Sequence, residues 1–293
     1  MEATVRFGLL GPIRAWDGGG ELDVGPPQQR AVLTYLLLNE GRHVSVDDVV
    51  EGLWGSDPPS SAVGVVRTYI SRLRRVFTVA GGASTDTEAR ICSQRGGYRL
   101  LVNPEAVDVT LFRASLSSAR EARQCGDLVE SSRLLRRGLA LWRGPALGGL
   151  GGAYDTDAGS FFQGRRAWLE QLRASADEMR LALDIELGDH DGAIAELAVV
   201  VTEHPYRERL WELLMWGLYR GGRQAEALAT YRAVGQLLNG ELGLEPGPGL
   251  RKMHGRILAA DPSLMQGLHP TGRWNQIGPA TQLGSAMQRS EVG

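Results

Sequence analysis

Residues 60–77 have a helical pattern with one apolar side and one small, basic side. Apolar residues recur at the three-and-four spacing that places side chains on one face of a helix: Val63, Val66, Ile70, Leu73 and Phe77. Small or basic residues lie almost opposite: Gly64, Thr68, Ser71 and Arg75. Arg72 flanks this face on one side, and Arg67 and Arg74 flank it on the other. Such a helix suits the major groove of DNA, although a solvated surface helix has the same pattern.

The segments on either side of this helix are typical of a winged helix-turn-helix. A helix is predicted from Ser45 to Trp54, because Ser45 and Asp48 have the spacing of a capping box before apolar residues. The Pro-containing segment 55–59 predicts a rigid turn, and Ser60 or Ser61 is a suitable N-cap for the arginine-rich helix. After a polar loop, strands at 89–93 and 98–102 predict a hairpin with Arg95 at its tip. A basic hairpin in this position favours a wing, and a plain surface hairpin is the alternative.

The first 41 residues predict a small sheet followed by one more helix. Strands are expected at 4–10, 13–16 and 21–24, separated by Gly11-Pro12 and by three consecutive glycines. A helix is expected over 28–39, with Gly41 after its end. We therefore expect an α+β winged helix-turn-helix domain at residues 1–102.

Charge is distributed unevenly within that domain. Residues 1–61 contain four arginines and nine acidic residues, a net charge of −5, whereas the whole 293-residue chain carries −2. Residues 62–102 contain seven arginines and two acidic residues, a net charge of +5. Positive charge therefore concentrates around the arginine-rich helix, as nucleic-acid binding requires.

From residue 108 to about 265 the pattern is helical throughout, and it repeats. Gly188, Ala193 and Ile194 recur as Gly222, Ala227 and Leu228, an offset of 34 residues. That period, with small residues where two helices cross, is typical of tetratricopeptide repeats, and generic helical hairpins are the alternative. A weaker copy begins at Gly126-Asp127, with Ser131 at the alanine position. Residues 266–293 are poor in apolar side chains and predict a disordered tail.

Two groups of motifs in this chain resemble those of a known protein family. The first group, at 26–33, 44–45, 53–59, 69–75 and 97–100, resembles the DNA-binding domain of the Streptomyces antibiotic regulatory protein (SARP) family, an OmpR-type winged helix. The second group, at 141–145, 204–209, 214–224, 227–231 and 241–246, resembles the bacterial transcriptional activation domain of the same regulators. The resemblance implies a recognition helix in the major groove and a wing directed toward the minor groove.

The residues then divide by expected role. Four are expected to face base edges: Thr68, Ser71, Arg72 and Arg75. Arg67 and Arg74 are expected to bind phosphates at the groove walls, and Arg95 and Tyr98 to make the wing contacts. The start of the first helix, at Gln28, Gln29 and Arg30, offers N–H groups and charge to another phosphate.

The family resemblance also implies partners and a process. It implies binding to direct repeats near a promoter's −35 region, contact with RNA polymerase and its sigma factor, homodimers at least on DNA, and control of antibiotic biosynthesis. Two alternatives stay open from the sequence: a helical-repeat adaptor whose winged helix binds protein, and a ligand-sensing repressor of similar architecture.

Motifs for catalysis, metals and secretion are missing from the sequence. No P-loop or nucleophile elbow occurs, and the five histidines have no metal-ligand spacing. Asp155–Gly159 resembles the start of a calcium loop, but Arg166 stands where a bidentate glutamate is needed. No apolar run is long enough for a membrane span, and no secretion signal begins the chain. We expect a cytoplasmic protein that is not an enzyme and needs no cofactor.

Overall fold

An antiparallel sheet of three short strands opens the chain in the computed structural model, which describes residues 5–81, 89–150 and 160–265. The strands are β1 (Arg6–Gly8), β2 (Arg14–Asp17) and β3 (Gly20–Leu22), in that spatial order. The Asp17 carboxylate accepts hydrogen bonds from the Gly19 and Gly20 amides and closes the second turn. The predicted strands are confirmed, with ends that differ from the predicted ones by one or two residues. The expected loop at 82–88, the calcium-like segment at 155–159 and the tail at 266–293 lie outside the described residues.

Three helices follow, in the order that the sequence predicts. They are α1 (Pro27–Leu38), α2 (Val46–Trp54) and α3 (Ala62–Gly81). The capping box is present: the Asp48 amide donates to Ser45 Oγ at 2.9 Å, and the Ser45 amide donates to the Asp48 carboxylate at 2.8 Å. In α3, Val66, Ile70, Leu73 and Phe77 are buried as expected. Val63 is 37% exposed, so its assignment to the buried side was wrong, and Ala62 is buried in its place.

A second three-stranded sheet forms the wing. Its strands are β4 (Val44–Ser45), β5 (Arg90–Gln94) and β6 (Gly97–Leu101), in the spatial order β4-β6-β5. The sequence did not indicate β4, which is only two residues long and pairs Val44 with Tyr98. A Cβ atom on Gly97 would lie 2.1 Å from the Val44 carbonyl oxygen, so this pairing requires glycine. The hairpin β5–β6 is thereby fixed to the residues that precede α2.

In the described part of the first compact unit, residues 1–187, these elements are followed by three further α-helices. The helices are α4 (Asp108–Gln124), α5 (Leu128–Leu139) and α6 (Ser160–Leu187). The expected boundary between 102 and 108 follows the change from strands to helices, and it stays a prediction. Within the unit, the rings of Tyr35 in α1 and Phe161 in α6 lie 4.4 Å apart.

A buried carboxylate joins the N-terminal sheet to the start of α4. Asp108 accepts hydrogen bonds from the Leu9 amide at 2.8 Å, the Leu10 amide at 3.0 Å and the Arg143 guanidinium at 2.8 Å. Burial raises the pKa of Asp108, while the bonds from Leu9, Leu10 and Arg143 oppose that rise. Arg143 also lies over the Trp16 ring at 4.9 Å, and its own amide donates to the Leu10 carbonyl at 2.8 Å. We call these four residues with Asp108 the Asp108 joint.

The second compact unit, residues 188–293, is helical over its described part. It contains α7 (His190–Glu203), α8 (Glu208–Arg220), α9 (Gln224–Leu242) and α10 (Pro248–Leu258). The helices α7 and α9 begin 34 residues apart, each two residues after a glycine with positive φ, Gly188 or Gly222. Ala193 and Ala227 are buried at 2% and 0% exposure. These starts and burials confirm the predicted period.

The weaker copy of the repeat lies in the first unit and has the same local geometry. Gly126 has a positive φ, and α5 begins two residues later. Ser131 is fully buried at the position of the two alanines, and its hydroxyl donates to the Ala119 carbonyl at 2.7 Å. A serine is tolerated there because its hydroxyl has a partner.

The Asp108 joint predicts the effect of one substitution. In Asp108→Asn one of the two oxygens becomes an N–H donor that faces at least the Leu9 amide, and the Arg143 guanidinium loses its negatively charged partner. We expect a loss of about 2–4 kcal/mol in the free energy of unfolding, measured by urea denaturation. Glu21→Gln is the control, because the Arg14–Glu21 pair is about half exposed on both sides and its loss costs at most about 1 kcal/mol. Equal stability of the two variants would contradict the joint's importance.

Candidate nucleic-acid interface

The solvent-facing side of α3 is the centre of the candidate interface. It is formed by exposed residues on successive turns: Gly64, Arg67, Thr68, Ser71, Arg72 and Arg75. Leu73 and Phe77 on the opposite side are buried, which fixes the rotation of the helix. We call this set the α3 face. Its short side chains let another surface approach closely, while its arginines supply charge and hydrogen-bond donors.

The arginines of the α3 face are exposed to solvent. Among the described residues, no salt bridge involves Arg67, Arg72 or Arg75. Thr68 donates its hydroxyl to the Gly64 carbonyl at 2.9 Å, which leaves its methyl group and an oxygen lone pair at the surface. A Cβ atom on Gly64 would meet nothing within 4 Å, so this part of the face is clear of the protein. The placement agrees with the predicted base-facing residues, whose contacts with DNA stay a prediction.

Tyr69 is a residue that the sequence analysis did not single out. Its hydroxyl donates to Gln28 Oε1 at 3.0 Å, and its ring lies 5.9 Å below the Arg72 guanidinium. It therefore ties the start of α1 to α3 and holds Arg72 on one side of the face. Tyr69 lies one turn before Arg72 on the same helix, and this spacing is the sequence signal for it.

Arg74 differs from the other arginines of the helix because its side chain turns toward the wing. Its Nε donates to the Ile91 carbonyl at 2.9 Å, and Nη2 donates to Ser93 Oγ at 2.8 Å. The guanidinium also lies 5.9 Å from the centre of the Tyr98 ring. Arg74 was expected at a groove wall as a phosphate anchor, and the structure instead places it between α3 and β5.

The tip of the wing consists of Arg95 and Gly96, which have φ values of 36° and 80°. Two positive φ values in a two-residue loop are those of a type I′ turn, which normally selects Asn or Gly at the first position. Arg95 is exposed at that tip. Tyr98, the other expected wing contact, is only 8% exposed. The expectation of a surface contact from Tyr98 is therefore corrected: its side chain is buried in the wing, on the side that the Arg74 guanidinium approaches.

The start of α1 is only partly exposed to solvent. Gln29 is buried at 3% exposure, so its side chain does not reach the surface. The Arg30 amide donates to the Pro26 carbonyl at 3.0 Å, and its guanidinium donates to the Gly25 carbonyl at 2.8 Å. The Gln29 side chain and part of the Arg30 guanidinium are thus engaged within the protein, and the phosphate contacts expected from this helix start stay a prediction. Gln28 is exposed, with its side-chain oxygen held by Tyr69.

Metal-ligand clusters and membrane-spanning helices are both absent from the described residues. No group of three or more His, Cys, Asp or Glu side chains suited to a metal ion occurs within residues 5–81, 89–150 and 160–265. Across the same described ranges, no helix has the length and apolar character to cross a membrane.

Two family models match different parts of the chain. The family model described as "Transcriptional regulatory protein, C terminal" matches residues 22–100, and "Bacterial transcriptional activator domain" matches residues 107–258. The regulatory protein AfsR of Streptomyces coelicolor is 44% identical over 90% of this chain, which spans 25% of that protein. The regulatory protein DnrI of Streptomyces peucetius is 35% identical over 89% of this chain and 94% of its own length.

A solved structure shares the fold. Mycobacterium tuberculosis EmbR, in complex with a low-affinity phosphopeptide, superposes with a TM-score of 0.81 at 34% sequence identity. The match covers 90% of this chain and 69% of the EmbR chain. The winged-helix region followed by a helical domain, expected from the sequence, is thereby shown.

One substitution at the wing tip is expected to weaken DNA binding without lowering the stability of the fold. In Arg95→Asn, the new residue tolerates positive φ better than arginine, so we expect the free energy of unfolding to stay equal or to rise by up to ~1 kcal/mol. The same change removes a charge, so the slope of log affinity for duplex DNA against log salt should fall by about 1. Urea denaturation and fluorescence anisotropy measure the two quantities. An unchanged slope would contradict a role of the wing tip in binding.

Proposed function

Because this chain belongs to the Streptomyces antibiotic regulatory protein family of transcriptional regulators, we propose that it binds promoter DNA as a sequence-specific activator. The observation that carries this proposal is the α3 face. It joins short polar side chains to exposed arginines on a helix whose opposite side is buried in the core. A solvated amphipathic helix also has a buried and an exposed side, so the feature that favours readout of base edges is the exposed side itself, where short side chains lie beside arginines that have no salt bridge among the described residues.

The α3 face divides into two roles in this proposal. Thr68, Ser71, Arg72 and Arg75 project from the middle of the exposed side and face base edges. Arg67, on the flank of that side, binds phosphate, and Arg95 at the wing tip reaches the minor groove or its phosphates. Gln28 adds a contact at the start of α1.

The arrangement on DNA follows from the family. We propose that protomers dock in tandem on direct repeats near the −35 region, with half-sites about one helical turn apart. The helical part of the chain would then contact the neighbouring protomer or RNA polymerase with its sigma factor. Control of a pathway for an antibiotic or another secondary metabolite is proposed from relatives such as DnrI. Transcription from a fused promoter with purified polymerase separates an activator from a ligand-sensing repressor.

The proposed reading of bases predicts the behaviour of Arg75→Ala. We expect a loss of about 1–3 kcal/mol in binding free energy on a duplex recovered by selection from a random library, and a smaller loss on a scrambled duplex. Anisotropy at two salt concentrations measures both affinities. Arg133→Ala is the matched control, because Arg133 is an exposed arginine of α5 that pairs with Glu130 within its own helix.

Each outcome of that experiment bears on the proposal. Equal losses on both duplexes would make Arg75 a phosphate contact, contrary to its proposed role. Failure of the unaltered protein to prefer the selected duplex would overturn DNA readout and favour an adaptor that uses its winged helix for protein contacts.

A further inference from the structure

Arg74 is the only arginine of α3 whose side chain has hydrogen-bond partners among the described residues of the wing. The order β4-β6-β5 makes β5 an edge strand. Gln94 and Gly97 close the hairpin, and hydrogen-bonded pairs alternate along an antiparallel ladder. Ile91 and Ser93 therefore occupy positions whose backbone groups point away from β6, toward the open edge.

The guanidinium of Arg74 occupies that edge. Its fork reaches the Ile91 carbonyl through Nε and the Ser93 hydroxyl through Nη2, so it holds two successive outward positions of β5 at once. The Tyr98 ring of β6 lies beneath it at 5.9 Å. Two hydrogen bonds and a ring contact define both the distance and the angle between α3 and the hairpin, as a planar guanidinium can and an ammonium cannot.

Other contacts hold the end of the hairpin near its turn, and they do not include Arg74. His43 Nε2 lies 2.8 Å from the Gln94 carbonyl oxygen, and the Val46 amide donates to the Gly96 carbonyl at 3.2 Å. These contacts fix the hairpin to the start of α2, but they do not involve α3. Among the described residues, every side-chain hydrogen bond between α3 and the hairpin comes from Arg74.

We infer that Arg74 is a positioning residue: it sets the spacing between the α3 face and the wing tip, so that Arg95 reaches DNA when α3 lies in the major groove. This inference rests on the proposed DNA-binding function and deepens it. Arg74 thereby acts through Arg95, without a phosphate of its own.

A double-mutant cycle tests this role. The full chain is compared with Arg74→Ala, Arg95→Ala and the double variant on the selected duplex. We expect each single change to weaken binding by a similar factor, roughly 10-fold. Since Arg74 acts through Arg95, the double variant should bind within about twofold of Arg95→Ala and show the same salt slope.

Arg67 supplies the matched control, because it is an exposed arginine of the same helix with no salt bridge among the described residues. Arg67→Ala and Arg95→Ala should multiply in their effects, as separate contacts do. Arg74→Lys should bind as weakly as Arg74→Ala, whereas Arg133→Lys, at an exposed arginine of α5 outside the α3 face, should bind like the unaltered protein.

The outcomes are distinguishable from one another. If the effects of Arg74→Ala and Arg95→Ala multiply, or if Arg74→Lys binds like the unaltered protein, the positioning role is overturned. The proposal of DNA binding is unaffected by either result. No preference of the unaltered protein for the selected duplex would overturn the proposed function itself. If circular dichroism shows that Arg74→Ala does not fold, Ser93→Ala replaces it: this change removes one acceptor, and its weaker loss should also vanish in the Arg95→Ala background.

Discussion

The interaction on which the first compact unit depends is the buried carboxylate of Asp108. It accepts hydrogen bonds from two amides in the connection between β1 and β2 and from the guanidinium of Arg143, which lies in the segment after α5. Three parts of the chain that are distant in sequence thereby meet at one side chain. Burial of a carboxylate is costly unless its hydrogen bonds are complete, so this joint forms only when all of its partners are in place. The winged helix therefore shares its compact unit with α4, α5 and α6, and the expected boundary between 102 and 108 stays a prediction.

The arginines of this unit have two different roles, and the surroundings of each side chain determine which role it has. On the α3 face the guanidiniums extend into solvent beside short side chains, where charge is available to a polyanion. At Arg74 and Arg143 the same chemical group is turned inward, and its planar fork joins separate elements. The concentration of positive charge in residues 62–102 therefore overstates how many charges are free for a ligand. A charge count indicates the region of an interface, while hydrogen-bond geometry indicates its members.

Most of the fold could be predicted because its signals are local. The spacing of Val66, Ile70 and Leu73 gives the buried side of α3, and the 34-residue offset gives the starts of α7 and α9. The corrections at Tyr98 and Arg74 share another cause. The Arg74 guanidinium lies near the Tyr98 ring and bonds to β5, so both corrections depend on segments that are distant in sequence. No periodicity records such contacts, and the two residues of β4 are too few to show alternation.

Base-specific contact by the α3 face is the central claim, and methylation interference tests it most directly. Guanines of the selected duplex are methylated at N7, in the major groove, and bound and free DNA are compared for the unaltered protein and for Arg75→Ala. We predict interference at matching positions of two tandem half-sites, about one helical turn apart, with one guanine per half-site losing its effect in Arg75→Ala. Interference that is absent, or that is the same for both proteins, would contradict the claim that Arg75 reads a base.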